Sequence, residues 1–332
     1  MAAQASDRAE VGEFLQFVFK KPQLARPDLL QWHYFTPRED WPGSRSYVLK
    51  RGDKILAHGG VDPMTLSTPG RDVSSMQLSD WAAAMAAPGA GVILLQELAK
   101  LADTFLVPSG TQHTRSILPE IGFRPCGHRY AYTRVVRPWK HLRAERSPDW
   151  KSPLRLARNI LCRVTLSSSS GWSSVPIQSF GDAELPLLER RPDSRTTRCR
   201  RTPRLLNYLL ECPVAGVTGY LLVRGTQSLG YYILSRVGNR ICIADLSVNS
   251  ESVADWQAAY SLAAQTAAAD AAVSEVFTAV STDAARDALA RNHFRLANRR
   301  AILLLDRGGL LDGAPPIDLQ ALDSDEFYLY CG

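Results

Sequence analysis

The stretch Ser74-Ser75-Met76-Gln77-Leu78-Ser79-Asp80-Trp81, with Ala82-Ala83-Ala84-Met85-Ala86-Ala87-Pro88-Gly89-Ala90-Gly91-Val92 behind it, decides the fold class. Ser74 to Trp81 reads as a strand, and Ala82 to Ala90 as a small-residue loop. From Gly91 the period changes: Val92, Leu95, Leu98 and Leu101 recur about three apart, which predicts a helix ending near Asp103. The first N–H groups of a helix lack internal partners and lie at the positive end of its dipole. Glycine lets a ligand approach such backbone closely. Gly89, Ala90, Gly91 and Val92 are thus a candidate pyrophosphate cradle, although an ordinary strand-to-helix turn uses the same glycines. A dinucleotide-binding G-x-G-x-x-G needs a third glycine where Leu94 stands, so that fold is disfavoured.

Outward from this point the chain alternates helix and strand. Val11, Phe14, Leu15 and Val18 predict a helix capped by Asp7 and closed by Lys20-Lys21-Pro22, and Asp28 to Tyr34 a second, short one. Ser46 to Lys50 and Ile55 to Val61 read as strands joined by the turn Arg51-Gly52-Asp53-Lys54. Downstream come a short strand, Thr104 to Val107, a helix, Gln112 to Leu118, and a β segment, Arg129 to Val136. This order predicts an α/β fold: a mixed sheet with helices on its faces.

A length of 332 residues suggests two domains. Apolar residues make up 45% and charged residues 22%, a globular composition. No apolar run reaches the ~18–20 residues of a membrane span, and the polar start Met1 to Glu10 is unlike a secretory signal. The cysteines (Cys126, Cys162, Cys199, Cys212, Cys242 and Cys331) form no C-x-x-C pair, which argues against a disulfide framework or a metal site and predicts a cytoplasmic location. From Arg134 to Arg204 there are 16 Lys or Arg against 6 Asp or Glu, while the rest of the chain is mildly acidic. A basic middle suits phosphates, nucleic acid or an anionic membrane, or is simply a solvated interdomain segment.

The second half repeats the first. Leu29-Leu30-Gln31-Trp32 matches Leu205-Leu206-Asn207-Tyr208, and Tyr47-Val48-Leu49-Lys50-Arg51-Gly52 matches Tyr220-Leu221-Leu222-Val223-Arg224-Gly225. Asp80 matches Asp245, and Ile121-Gly122-Phe123-Arg124 matches Asn292-His293-Phe294-Arg295. Four matches in unbroken order predict a duplication. The expected organisation is residues 1–138, a basic linker over 139–174 with one amphipathic helix from Leu154 to Val164, and residues 175–332.

The arrangement resembles the GNAT acyltransferase superfamily. There a strand leads into a loop [Q/R]-x-x-G-x-[G/A] at a helix start, matched here by Ala86-Ala87-Pro88-Gly89-Ala90-Gly91, with Ala86 in place of Gln or Arg. Ile121-Gly122-Phe123 resembles the family's later helix end and the "GF" after it. The likeness spans residues 7–136 and again 176–306, as in tandem GNAT proteins. It implies two GNAT-like domains, each a mixed sheet flanked by helices, and a coenzyme-A-dependent N-acyltransferase. Acetyl-CoA is the expected donor, with a small-molecule amine or a phosphorylated acceptor. It also implies that the main chain at Trp81 and Ala82 faces the thioester. The family's acid, a tyrosine four residues before the "GF" glycine, is replaced by Leu118, and by Leu289 in the second copy.

Asp80, at the strand end, is the first candidate base, with a capping role as the alternative. His58 is the second, or else a hydrogen-bonded strand histidine. His113, the cluster Trp32-His33-Tyr34-Phe35, and Trp41 border the expected cleft or belong to the core. Arg198, Arg200, Arg201 and Arg204 are candidates for a phosphorylated acceptor; without interleaved aromatics, nucleic acid is the weaker partner. The loop Leu246 to Ser252 has no glycine and carries Glu251, so the second copy is expected to bind no coenzyme A. A Fem-type transferase using aminoacyl-tRNA and a non-catalytic scaffold are the competing readings. Pro315 to Tyr330 is too apolar for a free end and is expected to dock.

Overall fold

A computed structural model describes residues 1–144, 150–161, 171–189 and 196–329. In chain order the first half holds α1 (Arg8–Phe19), α2 (Pro27–Leu30), β1 (Ser46–Arg51), β2 (Lys54–Thr68), β3 (Arg71–Ala83), α3 (Ala90–Leu98), β4 (Thr104–Val107), α4 (Gln112–Ile117) and β5 (Arg124–Val135). Between the halves lie α5 (Pro138–Ala144) and α6 (Ser152–Leu161). The second half holds β6 (Trp172–Ile177), α7 (Leu185–Leu188), β7 (Thr197–Cys199), α8 (Pro203–Leu210), β8 (Gly216–Arg224), β9 (Gln227–Val237) and β10 (Arg240–Val248). It closes with α9 (Val253–Ala269), β11 (Glu275–Val280), α10 (Asp283–Arg291), β12 (Arg295–Asp306) and β13 (Ile317–Asp318).

The expected elements are present with shifted ends. The helix after the glycines stops at Leu98, because Lys100 N–H turns to Glu97 O and Leu101 N–H to Leu98 O. β2 runs past Val61 to Thr68 through Pro63. Its outer edge is unpaired there: β1 pairs only as far as Gly60, and β7 joins at Leu66, so the missing N–H costs no ladder bond. The span 139–174 holds two helices instead of one, and β6 already begins within it at Trp172. The predicted helix from Leu154 starts at Ser152, and its expected end, Val164, lies outside the described residues, as do Cys162, Cys331 and Tyr330.

The two halves are not separate sheets on a linker. Among the described residues all thirteen strands form one sheet, ordered β13-β7-β2-β3-β4-β12-β5-β11-β10-β9-β8-β6, with β1 on β2. At its centre the halves exchange their last long strands. β12 lies between β4 and β5, and β5 lies between β12 and β11.

The exchange keeps the repeat in register. Thr104 faces Asp306 and Val107 faces Leu303; 171 residues on, Glu275 faces Val135 and Thr278 faces Tyr132. Gly122 (φ +97) and His293 (φ +58) both take the left-handed conformation at the corresponding helix end. α2 and α8 each begin with proline, and Gly52 and Gly225 make equivalent turns. Gly122/His293 and Gly52/Gly225 fall within the sequence matches, and together with the strand pairings they define a two-fold relation through the β5–β12 pair.

Candidate active site

β3 and β4 run parallel only from Ser75/Thr104 to Gln77/Leu106 and then part. Beyond Gln77 one edge of β3 has lost its neighbour, so its backbone faces a cleft. Opposite β2, a bulge sets Asp80 and Trp81 against Gly59 alone. Asp80 takes φ +43, a conformation that side chains other than Asn and Asp seldom tolerate.

Buried groups hold this bulge. The Asp80 carbonyl can only accept, so His58 Nδ1–H donates to it at 2.9 Å, and Ser46 Oγ then donates to His58 Nε2 at 3.0 Å. Tyr34 Oη donates to Asp80 Oδ2 at 2.6 Å. Burial lowers the His58 pKa, favouring the neutral ring. Burial, then the Asp80 charge, raises the Tyr34 pKa well above its ordinary value, so the phenol stays a donor. The structure therefore removes His58 from the role of base: it is fully buried, and both ring nitrogens are engaged. It does bring His58 to Asp80, as a support.

Tyr34 and His33 sit on the turn Gln31–Phe35 that continues α2. Arg45, fully buried, donates to the carbonyls of Trp32, His33 and Thr36 at 2.8–2.9 Å, satisfying that turn's end. This clamp has no signal in the sequence. Trp32 and Leu118 are both core.

Two cavities meet at Trp81. One, of about 310 Å³, is lined by Gln77 to Trp81, Val107 and Arg300, and by Asp325, Glu326 and Leu329 from the C-terminal segment. The other, of about 470 Å³, runs over Ala82 to Met85 to Gly89, Gly91, Val92 and His113. Phe19, Trp81, Thr111 and Thr114 line both.

At the helix start Gly89 is the N-cap, with φ +83 and open space where a Cβ would stand. Ala90 N–H bonds to Ala87 O, while Gly91 and Val92, in the first turn, have no acceptor within the helix. A Cβ at Gly91 would press on the Trp81 indole at 3.3 Å, and Trp81 Nε1 donates to Gly91 O at 2.9 Å. These donors and this open backbone fit a pyrophosphate, with Gly91 also making room for Trp81.

Asp325 was not singled out from the sequence, which forecast docking of its segment without saying where. Phe327, Tyr328 and Leu329 are buried as expected. Arg129, on the exchanged strand β5, binds Glu326 Oε2 at 2.9 Å and Ser324 Oγ at 3.0 Å, fixing the segment at the cleft. Burial, then the charges of Asp80 and Glu326, pushes the Asp325 carboxyl up to about 7.

In the second half the corresponding gap between the strands is occupied, although a cavity remains beside Asp245, Leu246, Ser247 and Trp256. β10 and β11 part after Cys242/Phe277, but Ile317 to Gln320 enters the gap. Gln320 Oε1 accepts from Leu246 N–H at 2.8 Å and Gln320 Nε2 donates to Leu246 O at 2.9 Å. At the start of α9, Asp255 stands in the first turn and accepts from Ser250 Oγ at 2.6 Å. Of the arginines named above, Arg198, Arg200 and Arg201 reach one cavity, where acids balance them. Arg201 is committed to Asp245 and Asp323, Arg200 contacts Asp72, and Arg204 is exposed. That cavity, of about 470 Å³, has Arg71, Arg198, Arg200 and Arg201 matched by Asp72, Glu189, Asp245 and Asp318.

No family model matches the chain, and no curated protein matches it in sequence. Solved structures do match it in shape. A GCN5-related N-acetyltransferase from Anabaena variabilis aligns over 92% of this chain and 72% of its own, at TM-score 0.60 and 12% identity. Saccharomyces cerevisiae N-myristoyltransferase with bound myristoyl-CoA aligns over 92% and 79%, at TM-score 0.62 and 12% identity. A putative acetyltransferase from Pyrococcus horikoshii covers 92% and 88%, at TM-score 0.56 and 11% identity. With its parted strands, bulge and glycine-capped helix, the chain has the fold of the GNAT acyltransferases, laid down twice in one sheet.

Proposed function

We propose that the first half is a coenzyme-A-dependent N-acyltransferase with one acyl-CoA site per chain. The observation that carries this is the joined pair of cavities, which links the glycine-capped start of α3 to Asp80, while in the second half Gln320 stands between the parted strands and the start of α9 has no glycine and carries Asp255. Gly91 and Val92 N–H would hold the pyrophosphate, and the freed edge of β3 at Trp81 and Ala82 would run beside the pantetheine. The thioester supplies an electrophilic carbonyl. Asp80, fixed by Tyr34 and His58, would take the proton from the attacking amine through its carboxylate. Main-chain N–H groups at Trp81 and Ala82 would face the negative charge growing on the acyl oxygen, and collapse of that adduct would break the C–S bond and release coenzyme A thiolate, which takes its proton from solvent. Asp325 places a second carboxyl at the acceptor end, where a cationic amine enters. Acetyl-CoA is the expected donor, and because the four described arginines around the second-half cavity are balanced by Asp72, Glu189, Asp245 and Asp318, a plain amine is favoured over a phosphorylated acceptor.

Calorimetric titration with acetyl-CoA tests this, followed by thiol-release assays across primary amines. One site per chain, lost in Gly91→Glu, is expected. Two equal sites, or unchanged affinity in that variant, overturns the assignment. Binding without transfer to any amine supports the non-catalytic alternative.

A further inference from the structure

The segment between the halves exposes apolar side chains that acyl transfer does not explain. The start of α5 is tied down: Arg137 donates to Val273 O and Ala268 O, and Lys140 Nζ to Ala271 O. Its outer side presents Trp139, 61% exposed. A shallow groove beside it is lined by Arg137, Trp139, Lys140, Arg143 and Asn239. α6 packs on α5 and is amphipathic in the outward sense. Trp150, Leu154 and Ala157 follow the i, i+4, i+7 spacing of one helix face, with Ile160 beside them. Trp150 is 77%, Leu154 63% and Ile160 43% exposed, so this apolar stripe faces away from the protein.

Charge decides what can cover it. The described positions between 137 and 161 include Arg137, Lys140, Arg143, Lys151, Arg155 and Arg158 and no Asp or Glu. Over the full sequence from Arg137 to Arg163, eight Lys or Arg stand against two Asp or Glu. Exposed tryptophans and leucine beside a run of Lys and Arg match the two layers of a membrane interface: acyl boundary for the apolar stripe, anionic headgroups for the cations. A protein partner with an apolar groove would leave this excess charge unanswered, and a nucleic acid would leave the apolar stripe in water.

We infer that α5 and α6 are an in-plane docking surface for a bilayer rich in anionic phospholipid.

Flotation of the full chain with vesicles tests this, comparing phosphatidylcholine alone with an equal mixture of phosphatidylcholine and phosphatidylglycerol. Binding to the anionic vesicles only, weakening with salt, is expected. Each lost cation costs roughly five-fold in partition, so Arg155→Gln with Arg158→Gln weakens binding on the order of 20-fold. Leu154→Glu weakens it while leaving the thermal unfolding temperature unchanged, because the side chain is exposed. In the unmodified protein, brominated acyl chains in the anionic vesicles should quench the fluorescence of Trp139 and Trp150, and Trp139→Phe with Trp150→Phe should remove that quenching. No flotation, equal flotation with neutral vesicles, retention by transfer RNA but not by vesicles, or undiminished binding in Leu154→Glu overturns the inference.

Discussion

Trp32 and Tyr208 occupy the same position in the two copies and stack on each other, with ring centroids 5.1 Å apart and planes 8° from parallel. Trp32 Nε1 donates to Tyr208 O at 3.0 Å, and Arg45 Nη2 donates to Tyr208 Oη at 2.7 Å. The duplication thus closes on itself at this pair, and the same contact completes the clamp behind Tyr34 and Asp80. Tyr208→Leu removes the stack and one acceptor of a fully buried guanidinium, so it should cost about 2–4 kcal/mol in urea unfolding. Tyr208→Phe keeps the stack and should cost less. Equal stability of the two variants would show that the stack contributes nothing, and Tyr208→Phe as stable as the unaltered protein would show that the hydroxyl is not needed.

Asp80 separates base from cap. Asp80→Asn preserves an acceptor for Tyr34 and tolerates the left-handed backbone, so folding and acetyl-CoA affinity should match those of the unaltered protein. Its turnover should fall ~10²–10⁴-fold, the usual contribution of a general base. Asp80→Ala should lose the same activity and also stability. Full turnover in Asp80→Asn would leave Asp80 a structural residue.

Asp325 gives a pH signature. Its carboxyl is raised from 3.8 to about 7, so the folded chain holds a proton that the unfolded chain has released. Stability from this group is therefore full below the unfolded value and is lost as pH rises from about 4 to about 7. Asp325→Asn should be more stable than the unaltered protein at pH 8, with the gap closing towards pH 4. Thermal melts across that range measure it, and a gap independent of pH would refute the burial of this charge.

Gln320 occupies, in the second half, the space between parted strands that the first half leaves open. Gln320→Leu keeps the volume but strands the buried N–H and C=O of Leu246, at a cost on the order of 2–4 kcal/mol. Gln320→Glu should be worse, since no donor then faces the Leu246 carbonyl and a charge is buried. Neither variant should create a second acetyl-CoA site, because Asp255 still stands at the start of α9.

The paired helix ends at Gly122 and His293 predict opposite signs. His293 is exposed and strained at φ +58, so His293→Gly should stabilise by roughly 0.5–1 kcal/mol. Gly122→Ala should destabilise by about 1–2 kcal/mol, although a Cβ there meets only Leu305 Cδ1 at 3.4 Å. Denaturant midpoints check both.

What was legible in the sequence was local. The change of period at Gly91, the turn glycines and the ordered matches between Leu29 and Phe294 are signals carried by neighbouring residues, and they led to the fold and to the helix start. Asp80 was visible because it ends a strand. What brings Tyr34, His58, Arg45 and Asp325 around it is contact between residues far apart in the chain, and single-sequence periodicity has no term for that. The exchange of β5 and β12 was invisible for the same reason: a strand's apolar pattern says which face is buried and nothing about which neighbour it pairs with. His58 was left between base and hydrogen-bonded strand histidine because its burial depends on Ser46 and Tyr34, which the strand reading could not place beside it.

The strand exchange also sets a timetable for synthesis. β4 leaves the ribosome with residue 107, but its partner strand is not complete until residue 306. At ~5–20 residues per second that wait is on the order of 10–40 s. For that time the first half carries a bare, apolar strand edge of Thr104 to Val107, the kind of template that recruits other chains. Neither half can mature ahead of the other, and a chain cut anywhere between β5 and β12 leaves both pieces with an open sheet. Productive folding is thus a single late event for the whole molecule, and newly made chains are the state that depends most on chaperones.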